Sequence, residues 1–80
     1  MMKYRFEIRV NLRGGESFSE RRSRQINTVE KLKENFSGIE IENDLVLASI
    51  TIRNLTKEEY KAIKKYLNAK KREVWIMANI

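Results

Sequence analysis

The sequence predicts an α+β domain in which two helices cover an antiparallel sheet, and three observations predict it. Two capping boxes, Ser17-Phe18-Ser19-Glu20 and Thr56-Lys57-Glu58-Glu59, each open a stretch with helically spaced apolar residues. Runs of alternating apolar and polar residues lie before, between and after those stretches. Eighty residues suffice for one domain, 1–80, with about a two-layer core.

From Lys3 to Leu12, Tyr4, Phe6, Ile8, Val10 and Leu12 fall on one face and Lys3, Arg5, Glu7, Arg9 and Asn11 on the other, the period of a half-buried strand. Arg13-Gly14-Gly15-Glu16 breaks that period with turn chemistry, and Ser17 caps the first helix with Glu20 as its reciprocal partner. Phe18, Ile26, Val29, Leu32 and Phe36 form its apolar stripe, with Arg22 and Gln25 in the gap, so its second half is expected to anchor it. Gly38 suits the stop. Ile39 and Ile41 alternate with Glu40 and Glu42, Asn43-Asp44 offers a turn, and Val46, Ala48, Ile50 and Ile52 alternate with Leu47, Ser49, Thr51 and Arg53, which reads as a hairpin with an acidic edge arm. Thr56 and Glu59 cap the second helix, Leu55 is placed to staple onto Tyr60, and Tyr60, Ile63 and Leu67 form the buried stripe. Val74, Ile76, Ala78 and Ile80 alternating with Trp75, Met77 and Asn79 spell a last strand.

The order βαββαβ with right-handed crossovers predicts a ferredoxin-like plait: a four-stranded antiparallel sheet, order 4-1-3-2, with both helices on one face. The alternative exchanges the last strand into a partner subunit.

Composition removes most enzyme chemistry. There is no cysteine and no histidine, hence no thiol nucleophile, no disulfide, no thiolate metal site and none of the commonest general base. No cofactor or metal is expected, and no catalytic residue is assigned. The apolar runs fall far short of the roughly 20 residues that span a bilayer, and no signal-like segment opens the chain, so a cytoplasmic protein without membrane contact is expected. The net charge is +6, with seven cations against three anions in residues 55–80 and one against three in residues 37–54. A basic body with an acidic hairpin points to a polyanionic partner.

Three constellations follow. Arg21, Arg22 and Arg24 crowd the start of the first helix beside Arg13, where cations oppose the helix dipole at a cost of up to about 1 kcal/mol each. A bound phosphate would offset this by taking the free amides and the guanidinium forks, and Glu16 and Glu20 offer the intramolecular alternative. Lys57, Lys61 and Lys64 line the second helix opposite its apolar stripe, with Lys65, Lys70, Lys71 and Arg72 continuing the charge. The sheet face away from the helices is expected to carry Arg5, Arg9, Leu47, Arg53, Trp75 and Met77, a surface for a protein partner or a homodimer.

The topology is similar to that of RNA-recognition modules, which stack bases on outward aromatics of strands one and three; here those positions hold Arg, Glu, Ser and Thr. It also resembles that of acylphosphatases, which place a Gly-containing anion loop between strand one and helix one, with an arginine following the loop's aromatic. Here Ser19 follows Phe18, and Glu16 would repel an acyl phosphate, which argues against that activity. The expected function is a small non-enzymatic module that contacts nucleic acid or a ribonucleoprotein through phosphate-directed Arg13, Arg21, Arg22, Arg24, Lys57, Lys61 and Lys64. The alternative is a protein-interaction domain, such as a phage or mobile-element inhibitor or adaptor of a nucleic-acid-handling complex, docking through the open sheet face.

Overall fold

A computed structural model describes residues 3–69 and 74–79, the last six and Ala69 by backbone alone. Its elements are β1 (Tyr4–Val10), α1 (Phe18–Asn35), β2 (Glu40–Asp44), β3 (Ser49–Leu55), α2 (Lys57–Ala69) and β4 (Val74–Asn79). β3 lies between β2 and β1 and pairs antiparallel with both. The backbone of β4 runs antiparallel along the other side of β1, from Arg5 opposite Asn79 to Val10 opposite Val74.

The alternation in β1 puts Phe6, Ile8 and Val10 on the buried face, where they meet Ile50, Ile52 and Leu55 of β3, Val29 and Leu32 of α1, and Ile63 and Leu67 of α2. Both helices therefore cover the same side of the sheet. Tyr60 reaches down from α2, its ring stacked on Phe6 and tilted against Tyr4, with centroids 4.7 Å apart in each pair. Such pairs add about 0.5–1.5 kcal/mol beyond the area they bury. Where the helices meet, Phe36 and Tyr66 pack edge to face at 5.5 Å.

The capping boxes form, unequally. At α2, Glu59 N–H donates to Thr56 Oγ1 (3.1 Å) and Thr56 N–H donates to Glu59 Oε1 (2.9 Å). At α1, Glu20 N–H donates to Ser17 Oγ (3.1 Å), and among the described residues the return bond is not made.

Two places in the hairpin depart from the sequence expectation. β2 continues through Asn43 and Asp44, paired with Ile50 and Ser49, so the loop is Leu45–Ala48 rather than Asn43-Asp44. Asp44 acts as the loop's latch: its Oδ1 accepts the N–H groups of Val46 and Leu47 (3.0 Å each). Val46, expected on the core face, is instead 88% exposed at the tip. The second departure is a bulge in β3, where Arg53 and Asn54 together oppose Arg5. Strict alternation would drive Asn54 into the core. At φ 56 it turns out instead, its amide donates to the Glu40 carboxylate, and Leu55 enters the core fully buried.

Candidate nucleic-acid interface

The start of α1 is assembled around one carboxylate. The chain leaves β1 and reverses through a turn in which Glu16 N–H donates to the Arg13 carbonyl (3.0 Å), with Gly15 at φ 79, a conformation that suits glycine. That reversal aims Glu16 back at Arg13 N–H, which donates to its Oε1 (3.0 Å). One and a half turns into α1, Arg24 grips the same carboxylate with two parallel bonds, Nε to Oε2 at 3.0 Å and an Nη2 to Oε1 at 2.7 Å. Nη2 also donates to the Asn11 carbonyl (2.6 Å). The Arg24 hydrogen bond, then the Arg13 amide, hold the Glu16 carboxyl at about 2, below its ordinary 4.5. The backbone amide and the guanidinium fork that a phosphate would use thus already hold an intramolecular anion.

The other arginines of this cluster diverge. Arg21 lies over the Phe18 ring with its guanidinium carbon 5.2 Å from the centroid, and its Nε is shielded from solvent without a partner among the described residues. Phe18, expected in the buried stripe, is 67% exposed beneath it. Arg13 and Arg22 are exposed.

α2 is organised differently. Its apolar face is committed to the core through Ile63 and Leu67, while Lys57, Lys61, Lys64 and Lys65 are all exposed. Its first turn carries Glu58 and Glu59, the sign that the helix dipole favours, and Glu59 is held by the cap. Among the described residues, none of the four lysines is paired with a carboxylate. From Lys57 to Lys64 the row spans about 10 Å at 1.5 Å per residue. Because β1 and β3 run in opposite directions, α1 and α2 begin at opposite ends of the sheet. The arginines and Lys57 therefore form two separate basic areas, the lysine row running lengthwise between the ends.

The open sheet face is largely self-neutralised. Arg53 pairs with Glu42 at 2.7 Å across β3 and β2, and Arg9 lies 3.6 Å from Glu7. Ser49 and Thr51 are nearly covered between these charges, and Arg5 is exposed. Leu47 is on the hairpin loop rather than this face. Trp75 and Met77 stand opposite Arg9 and Glu7 in the strand register, and their side chains lie outside the described residues. Among the described residues no group of three or more acidic, histidine or cysteine side chains is placed to hold a metal, and no helix is long and apolar enough to cross a membrane.

Sequence reasoning missed Gln25, 1% exposed, whose amide nitrogen donates to Asn43 Oδ1 (2.6 Å) and to the carbonyls of Asp44 (3.1 Å) and Ser49 (3.2 Å). It clasps α1 to the hairpin, and three acceptors fix which end of the amide is nitrogen. Its only signal was a polar residue inside an apolar stripe. Comparison of the chain with known protein families, with curated proteins and with solved structures finds no match.

Proposed function

We propose that this protein is a non-enzymatic binding module, built as a ferredoxin-like plait, that contacts the phosphate backbone of nucleic acid, alone or in a ribonucleoprotein. The observation that carries the reading is the row of exposed lysines on α2 without a carboxylate partner among the described residues. The element order, and the β4 backbone alongside β1, support the plait.

Lys57, Lys61 and Lys64 are point charges on long stems, matched to phosphates rather than to base edges. Tyr4, Tyr60 and Tyr66 are half-buried against the core, which among the described residues leaves no stacking platform on the lysine row. Attraction to the backbone without base reading is the chemistry that remains, and Arg22 extends it at the other end of the sheet. Docking through the open sheet face is the weaker reading, because Arg53 and Arg9 there face Glu42 and Glu7.

The test is fluorescence anisotropy with labelled duplex and single-stranded nucleic acid over a range of salt. Wild type binds at low salt and releases as salt rises, whereas Lys57/Lys61/Lys64→Ala loses most of the affinity at unchanged helix content. Absence of binding at low salt, or equal binding by the triple variant, overturns the proposal.

A further inference from the structure

Around the axis of α2 the side chains sort onto three bearings, at about 100° per residue. Ile63 and Leu67 turn to the core and are buried there. Tyr66 turns to α1, where its ring meets Phe36 at 5.5 Å and its hydroxyl accepts from the Asn35 amide at 3.5 Å. Lys57, Lys61 and Lys64 stand about 140–180° around from Tyr66 at that spacing, on the flank turned away from α1. Asn68, also exposed, is the next position of the same stripe, which from Lys57 to Asn68 runs about 17 Å at 1.5 Å per residue.

The fold keeps acid away from this flank. Gln25 clasps α1 to the hairpin and Tyr60 seats α2 on β1, so the stripe overlooks the β4 side of the sheet, while Glu40 and Glu42 lie on β2 at the opposite edge. On α2 itself Glu59 is held by the Thr56 cap, and Glu58 lies about 60–120° off the stripe. Tyr60, which flanks the stripe, has its ring committed to Phe6 and Tyr4. A stripe of this kind draws its affinity from counterion release, which is larger on the denser charge of a duplex, about 0.9 per phosphate against about 0.7 on a single strand. Its straight, ordered course also suits the ordered phosphates of a duplex. A single strand would give up backbone freedom on binding, with no stacking on Tyr60 to offset that loss.

We propose that the nucleic acid is a duplex whose backbone lies edge-on along the α2 flank turned away from α1, with Lys57, Lys61, Lys64 and Asn68 on its phosphates. This rests on the phosphate contact proposed for the lysine row, and adds to it the strandedness of the ligand, the face that meets it and a fourth contact.

The experiment follows the anisotropy of a labelled mixed-sequence DNA duplex, and of one of its strands alone, over a range of salt with wild type, Asn68→Lys and Asn27→Lys. Asn27 is exposed on α1 opposite the buried Val29 and Leu32, so the two variants add the same charge on different sides of the molecule. The proposal expects the duplex to bind more tightly than the strand, by roughly threefold or more at low salt. Asn68→Lys should steepen the slope of log affinity against log salt on the duplex by about 0.9, and Asn27→Lys should leave it at the wild-type value. Because both positions are exposed, both variants should keep the wild-type melting curve. Equal or tighter binding of the single strand overturns the duplex assignment and leaves the phosphate contact standing. Equal slopes for the two variants overturn the placement on the α2 flank. No binding of either ligand overturns the phosphate contact itself, and this inference with it.

Discussion

The two helix starts spend their charge in opposite ways. α1 opens with arginines against its dipole and answers them locally: Glu16 holds Arg24, and Phe18 sits under Arg21. α2 opens with Glu58 and Glu59 along its dipole and leaves Lys57, Lys61, Lys64 and Lys65 to solvent. Counting cations would rank the arginine-rich start as the better anion site. Geometry reverses that ranking, because the charge a partner feels is what remains after internal partners are served.

The largest expected effect separates the regions by binding. Removing Lys57, Lys61 and Lys64 flattens the slope of log affinity against log salt by about 3, at roughly 0.9 per phosphate contact on duplex DNA, whereas Arg24→Ala leaves that slope unchanged. Equal slopes for the two variants would erase the distinction.

Stability should divide the other way. Arg24→Ala strips Glu16 of its fork and frees the Asn11 carbonyl, and the melting midpoint falls by several degrees while the triple lysine variant melts as wild type. The clasp beside it is tested by Gln25→Leu, which leaves three acceptors without their donor and costs roughly 1–3 kcal/mol in urea unfolding.

Acid offers a subtler probe. The Glu16 carboxyl titrates at about 2 in the folded chain against 4.5 ordinarily, so between those values the unfolded chain binds the extra proton. Its contribution is fully present above about pH 4.5 and drains away as the pH falls toward 2. Denaturation midpoints followed over that range should fall less steeply in Arg24→Ala than in wild type. Parallel curves would show that the pair does not set the shift.

The smallest effect is expected at the hairpin. Ala48→Gly relieves φ 53 but loosens the unfolded chain and removes a nearly buried methyl, for a net gain below about 1 kcal/mol.

What could be read from the chain follows how local the physics is. Both N-caps, the β1 alternation as far as Val10 and the Ile63–Leu67 stripe depend on neighbours within a few positions and appear where expected, whereas Leu12, expected on the same face, lies beyond the strand and is exposed. The loop was misplaced because Asn43-Asp44 has turn chemistry, yet Asp44 exercises it on the residues that follow while still paired in β2. The Glu16–Arg24 grip joins residues eight apart across a turn and a helix start, a spacing with no periodic signature. Its one trace was an acid just before the Ser17 cap and an arginine run just after. Gln25 could not be recognised as a clasp, since its three acceptors come from a hairpin distant in sequence.

The Asn54 bulge also fixes the azimuth of everything after it. Successive residues of a helix are 100° apart around its axis, so straightening the bulge with every residue kept, which would pair Asn54 with Tyr4 in place of Leu55, would carry Leu55 off the core face and roll α2 by about that angle. Ile63 would leave the interior, and the cationic row would swing off its outward bearing. A single out-turned asparagine, anchored to Glu40, thus sets which way the α2 lysines point.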